Sequence, residues 1–378
     1  MTERIIHSFE AGRRGKPDEL ESIIANAIGG FFLTLNPNSR FDLDVSGDYM
    51  PDEDKFLMNI GGEVSESLLK ASELESEISK IVMGVYNSIH RTSFGHEKFK
   101  LVFNFKQQEN VLASNGEAGD IGNPIAVAHR YGPSYEPWER FLAVDTRDLI
   151  DYIFSGEADK LIKKRYGVDS AVRDIPSFRM DGLRADGKVS VEVEYNGHIP
   201  RRINNVTVCA EHEPALSIEE LRGRLNTILL SYFNDTLHAS LRLDKNNIHI
   251  NPLGAWHNGG WGTDSGNREA KPYRDGFATY GCCEDSFSGE DPSKPSGTGT
   301  FLARYIAVQV VGNGLAGFAR VALTYTAGSK DVGLNITTNG TGKLKQEELE
   351  RWVRKKIPLG INDAIGSLIL EILPDMLE

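Results

Sequence analysis

Residues 184–195, RADGKVSVEVEY, decide the class of fold. Val189, Val191, Val193 and Tyr195 alternate with Ser190, Glu192 and Glu194. A period of two puts the apolar set on one face, so the stretch predicts a half-buried strand. NNVTVCAEH (204–212) reads as its partner. Ser217 with Glu220 then forms a capping box ahead of Leu221, Leu225, Ile228 and Leu229, which predicts a helix to about Phe233. NIHINPLG (247–254) is a further strand ending in a turn.

The same mixture continues in both directions. Upstream, Pro17 and Asp18 mark a helix start. Leu20, Ile23, Ile24, Ala27 and Ile28 give that helix one apolar face, and Gly29–Gly30 is expected to end it. KFLMNIGGEV (55–64) and KLVFNF (100–105) read as strands. ASNGEAGDIGNP (113–124) is a small-residue loop of a length usually tied to function. Downstream, residues 253–300 are rich in Gly, Ser, Asp and Trp without periodicity, the mark of a binding region. FLARYIAVQVVG (301–312) predicts a buried helix stopped by Gly312, RVALTYTAG (320–328) a strand, and LKQEELERWVRKK (344–356) and INDAIGSLILEIL (361–373) closing helices. Strands and helices mix without βαβ alternation, so the expected class is α+β.

The bulk properties narrow the function. A chain of 378 residues has room for two or three cored domains. Its net charge of −12 argues against a nucleic-acid binder working by bulk electrostatics. No run reaches membrane-spanning length, and MTERIIHSFEAG carries no apolar leader, so a cytoplasmic protein without a membrane partner is expected. Cys209, Cys282 and Cys283 offer neither a disulfide framework nor zinc spacing and read as reduced thiols. A Walker A loop, HExxH and GxSxG are absent. His212 ends a strand and reads as structural.

Carboxylates and lysines in loops remain. GKPDE puts Lys16 and Asp18 at a helix N-terminus, where a phosphate would be welcome and Asp18 would need Mg²⁺ to share it. Simple N-capping is the plainer alternative. Asp186 and Lys188 stand two apart on one face at a strand start, as functional groups or as a solvated turn. Trp256 and Trp261 lie among glycines, as a base-stacking platform or as packed loop residues.

Taken in order, these stretches resemble the S-adenosylmethionine synthases (methionine adenosyltransferases). The resemblance rests on FEAGRRGKPDELESIIANAI (9–28), NIGGEVS (59–65), KQQENV (106–111), EAGDIG (117–122), RADGKVSVEVEY, INPLGAWHNGGWGTDSG (250–266), and SFSGEDPSK (286–294) with FLARYIA (301–307). It implies three α+β domains related by pseudo-threefold symmetry, expected over 1–115, 116–247 and 248–378, with the chain free to cross between them. It implies a homodimer or dimer of dimers with sites at the subunit interface. It further implies attack of methionine sulfur on C5′ of ATP, with Mg²⁺ and K⁺ as cofactors and the triphosphate cleaved to phosphate and diphosphate.

Carried over position by position, the resemblance assigns Glu63, Gln107, Asp264 and Lys294 to methionine, with Ala327 near its S-methyl group. Asp186, Trp256 and Asp120 match the nucleotide side, with Arg268 a nearby cation. Lys188 lies between the substrates, and Lys16, Asp264, Lys271 and Lys294 complete the catalytic set. Asp18 matches a Mg²⁺ ligand with Glu10 in its vicinity, and Asp44 stands at the K⁺ position. The triphosphate side departs from the family. Lys16 replaces a His, Glu19 and Glu290 replace lysines, Ala270 replaces an Arg, and Ser296–Gly297 replaces Asp-Arg. Arg13, Arg14, Lys16 and Arg268 are the cations that could compensate. Ala327 stands where the family has Ile, which leaves open a bulkier thioether substrate, and the lost cations leave open a non-catalytic adenosine-ligand binder.

Overall fold

The computed structural model describes residues 4–71, 73–108, 120–156, 179–236, 241, 243–268, 277, 280–281 and 288–366. In chain order its strands are β1 (Arg4–Gly12), β2 (Phe41–Met50), β3 (Lys55–Val64), β4 (Phe99–Gln107), β5 (Ile125–His129), β6 (Leu183–Asn196), β7 (Ile199–His212), β8 (Ile248–Ile250), β9 (Gly266–Asn267), β10 (Phe318–Thr324) and β11 (Gly333–Thr337). The longer helices are α1 (Pro17–Leu35), α2 (Leu74–His90), α3 (Trp138–Ser155), α4 (Ile218–Thr236), α5 (Thr300–Gly312) and α6 (Gln346–Lys356).

Three separate sheets result, in the orders β1-β6-β7-β8, β4-β3-β2-β9 and β11-β10-β5. Each covers one face with its own apolar cluster. Val189, Val191, Val193 and Tyr195 of β6 are buried against Leu142, Leu149 and Ile153 of α3 and Leu221, Leu225 and Leu229 of α4. Leu43, Val45, Met58 and Ile60 face Ile24 and Ile28 of α1 and Ile78 and Val82 of α2. Ala126, Val321 and Leu323 face Leu302, Ile306 and Val310 of α5, with Leu349 and Val353 of α6 alongside. The architecture is therefore α+β, as the irregular order of elements predicts. Strand β1 sits far from its sheet neighbours in sequence yet pairs with β6 from Arg4↔Asn196 to Gly12↔Lys188.

The predicted hairpin partner is correct: β6 and β7 are antiparallel across the Gly197 turn. The capping Ser217 accepts the Glu220 N–H at 3.2 Å. One expectation fails. Gly29–Gly30 does not end α1, which runs on to Leu35. A Cβ at Gly29 would lie 2.8 Å from the Phe41 ring, so this glycine serves close helix–sheet approach rather than a cap. The intervening turns hold because Ile28 and Phe32 are fully buried, which outweighs about 1 kcal/mol of helix propensity lost per glycine. Cys282, Cys283 and the end of the last predicted helix lie outside the described residues.

Candidate functional site

Two clusters of charge flank the two-residue strand β9. The first is built on the β1–α1 loop. Where β1 ends, Arg13 donates its backbone N–H to the Gly187 carbonyl at 2.8 Å. Its fully buried side chain donates from Nε to Asp151 at 2.8 Å and from Nη1 to the Arg184 and Asp186 carbonyls at 2.7 and 3.1 Å. Arg13 thus fastens the loop to β6 and does not serve as a phosphate cation, a correction to its reading as a compensating charge. The loop then passes so close to β6 that a Cβ on Gly15 would fall 2.4 Å from that of Ala185.

This fastening brings Lys16 to the N-terminus of α1. Its Nζ lies 3.4 Å from Asp18 and 3.2 Å from Asp264. Burial alone would lower its pKa, but the Asp18, Asp264 and Asp186 carboxylates prevail and raise it. Lys16 is therefore a firmly held cation. Asp186 sits beside it, with Oδ1 accepting the Gly187 N–H at 2.6 Å and Oδ2 the Gly260 N–H at 2.7 Å. Burial pushes its carboxyl up to about 6 against those hydrogen bonds. On the same strand, Lys188 Nζ meets Glu10 at 3.2 Å. So Glu10, Lys16, Asp18, Asp186, Lys188 and Asp264 gather around one loop, although Glu10 and Asp264 are far apart in sequence.

The residues 251–264 close over this cluster. Trp256 is half-buried and donates its indole N–H to Asn258 O at 2.6 Å. His212 bears out its structural reading: its ring accepts the Trp256 N–H at Nε2 and meets Leu216 O at 2.9 Å through Nδ1. Trp261 is not a stacking platform. It is 4% exposed, stacks on Tyr86 at 5.2 Å, and gives its indole N–H to Glu21. Glu21 has no exposed surface, and burial holds its carboxyl well above the ordinary range. Sequence reading missed this pair, because the Glu21 partner lies on another element.

The second cluster lies on the outer face of β2. Phe41, Leu43 and Val45 point into the core, so Asp42 and Asp44 point out. Asp42 is the hub. One oxygen meets Arg268 Nη2 at 2.7 Å, the other Lys294 Nζ at 3.2 Å, and Lys294 also meets Asp120 at 3.0 Å. Asp44 lies 3.6 Å from the same Arg268 and is mostly exposed. The segment from Ser288 to Lys294 runs along β2: Leu43 N–H donates to Gly289 O at 3.1 Å, and Asp291 exchanges bonds with Phe41. The backbones of Asp42 and Glu290 pair in an isolated antiparallel bridge. Sequence reading singled out Asp44 and passed over Asp42, although the alternation FDLDV carries both.

Glu290 is no free anion in this setting. Ser296 donates its hydroxyl to it. Burial, with Asp42 adding to it, lifts its carboxyl to about 7 against the pull of Ser296, Arg268 and Lys294. At the other reversed position, Glu19 is 6% exposed and acts electrostatically on Arg147. Glu63 and Gln107 are exposed on strands β3 and β4, Glu63 opposite Asp42 in register. The Gly122↔Tyr325 bridge carries Asp120 and exposed Ala327 to the same end. Lys271 and Ala270 lie outside the described residues. Among the described residues, no three His, Cys, Asp or Glu side chains form a metal cage, and no helix is long and apolar enough to cross a membrane.

Three separate sheets, with two charge clusters on either side of one short strand, make this an α+β scaffold. Two family domains match the chain, the S-adenosylmethionine synthetase central domain over residues 158–256 and the C-terminal domain over 258–373. The S-adenosylmethionine synthase of Aquifex aeolicus is 28% identical over 370 residues, 96% of this chain and 89% of its own length. That of Zymomonas mobilis is 27% identical over 373 residues, 95% and 87%. An unusual S-adenosylmethionine synthetase from Campylobacter jejuni shares the fold at a TM-score of 0.77 and 22% identity, over 95% of this chain and 88% of its own. The chain belongs to the S-adenosylmethionine synthetase family as a divergent member.

Proposed function

We propose that the protein is a methionine adenosyltransferase: the methionine sulfur attacks C5′ of ATP, a C–S bond forms, and the C5′–O bond breaks with its electron pair leaving on triphosphate. The observation that carries this reading is the gathering of Lys16, Asp186, Lys188 and Asp264 on one loop and strand end. A thioether is a neutral nucleophile, so rate comes from alignment and from stabilising the departing anion. Asp186 suits a ribose, and the half-buried Trp256 suits the base. Lys188 and Lys16 suit the charge that develops on the leaving oxygen. Lys294, with Asp120 and Ala327 nearby, suits the amino acid and its alkyl group.

Asp18 fits Mg²⁺ as a single hard oxygen donor completed by substrate phosphates, the usual way this ion is held, and Mg²⁺ would neutralise the triphosphate. Asp44 fits K⁺ less well, because Arg268 stands beside it. The triphosphate is then hydrolysed to phosphate and diphosphate at the same cations.

Within one protomer the two clusters lie on opposite sides of β9, with Asp264 in one and Arg268 in the other. The reading therefore includes a homodimer in which the first cluster of one copy meets the second cluster of its partner. Mixing Lys16→Ala with Lys294→Ala protein tests it. Half the dimers would be mixed and each would keep one intact site, so about a quarter of wild-type activity returns. Recovery of no activity from two folded, inactive variants would refute the shared site.

Ala327 favours a second reading, in which the thioether carries a larger alkyl group than methyl. Its small exposed side chain lies at the same end as Asp120 and leaves room there.

A further inference from the structure

A cavity of about 280 Å³ opens on the far side of the β1–α1 loop from Lys16, lined by Gly15 and Ala185 next to the first cluster. Its walls come from four parts of the chain: Arg14 and Gly15 of the loop, Ser88 and Arg91 at the end of α2, Tyr152 and Phe154 at the end of α3, and Ala185 of β6. It includes none of Lys16, Asp18, Asp186, Lys188 or Asp264.

Its charge is unbalanced. Asp151 is the only carboxylate among the lining residues. One of its oxygens holds Arg13 Nε at 2.8 Å, and the other accepts the Arg14 backbone N–H at 3.2 Å. The guanidinium groups of Arg14 and Arg91 meet no carboxylate among the described residues. Arg14 lies over the Tyr152 ring at 6.0 Å. Arg91 lies over Phe154 at 5.9 Å and donates to the Phe154 carbonyl at 2.8 Å. Two cations thus flank one concavity in a chain whose net charge is −12.

Arg91 is also held at a cost. It ends α2 in the left-handed conformation, with φ of 56°, where glycine or asparagine would be less strained. An arginine there sacrifices backbone comfort to put a guanidinium at the cavity mouth. Arginine pairs recognise phosphate and carboxylate through several fixed N–H donors, and aromatic walls favour a flat or apolar body.

We propose that this cavity binds a small organic anion, a phosphate or carboxylate head on an apolar or aromatic body, between Arg14 and Arg91. The site shares the β1–α1 loop with the first cluster but none of that cluster's charged side chains, and it does not depend on the adenosyl-transfer reading. Phenyl phosphate and benzoate serve as probes, followed by calorimetry or ligand-observed NMR on the full chain at physiological salt. Arg91→Gly is the informative variant, because it removes the guanidinium while relieving the left-handed backbone, so folding is retained.

The expected result is saturable binding of phenyl phosphate, benzoate or both. Arg91→Gly weakens it ~10–100-fold and Arg14→Ala does so comparably, the loss expected for one charge-assisted contact. Lys16→Ala leaves it unchanged. Binding of phenyl phosphate alone assigns the head as phosphate, and binding of benzoate alone assigns it as carboxylate. Absence of binding by both probes at millimolar concentration overturns the proposal. So does binding that survives both arginine variants, or binding abolished by Lys16→Ala but indifferent to Arg91→Gly.

Discussion

Replacing Glu290 by Gln tests how the second cluster tolerates an acid where the family resemblance implies a lysine. The carboxyl is largely withdrawn from solvent, lies in the field of Asp42, and is lifted to about 7 from an ordinary value near 4.5. The sign follows from linkage. The folded protein holds this proton more tightly than the unfolded chain. The stability it contributes is therefore fully present below pH 4.5 and is lost as pH rises through 7. A shift of this size corresponds to about 3 kcal/mol at 1.36 kcal/mol per unit. Gln keeps an oxygen for the Ser296 hydroxyl and cannot ionise. Glu290→Gln is thus expected to match wild type, apart from a constant offset, at pH 4.5 and to gain about 3 kcal/mol on it by pH 8.5. Urea denaturation at those two pH values measures it. A difference between variant and wild type that does not change with pH would mean that Glu290 is already ionised in the fold, and the muted charge reversal would be wrong.

Other perturbations probe the frame around the site. His129 is buried among His7, His198 and Tyr195, and burial lowers it to about 3. Its stability contribution is present above pH 6.5 and is lost as pH falls. His129→Gln should therefore gain about 2 kcal/mol on wild type between pH 7.5 and 5 in denaturation curves. Trp261→Phe leaves buried Glu21 without its indole donor and should cost about 1–3 kcal/mol by urea denaturation at pH 7. Restoring Ile at Ala327 should cut turnover of an S-ethyl analogue relative to methionine by ~10-fold in product assays. An unchanged ratio would remove the case for a bulkier thioether.

Much of the fold was legible because it rests on short-range patterns. The Val189–Tyr195 alternation and the Ser217 capping box are local, and both elements form where they were expected. Gly29–Gly30 misled because its role depends on Phe41, a contact no local pattern reports. The joining of β1 to β6 is likewise a long-range fact. At the site, Lys16, Asp186 and Lys188 could be picked out because they sit at a helix start and a strand start. Their meeting with Asp264 and Glu10 was implied only by the family resemblance and not by any local pattern, since it depends on how the sheets are placed. Arg13 looked like a free cation among basic residues, and only its burial against Asp151 shows a structural role. Trp261 looked like Trp256 in sequence, and the two part company only when the core is filled.

The most direct test of the central claim is product formation by the purified chain given ATP, methionine, Mg²⁺ and K⁺. The account predicts S-adenosylmethionine with equal amounts of phosphate and diphosphate, and a loss of ~10²-fold or more in Lys188→Ala. Absence of S-adenosylmethionine and of triphosphate breakdown, under conditions where a conventional family enzyme turns over, would contradict it.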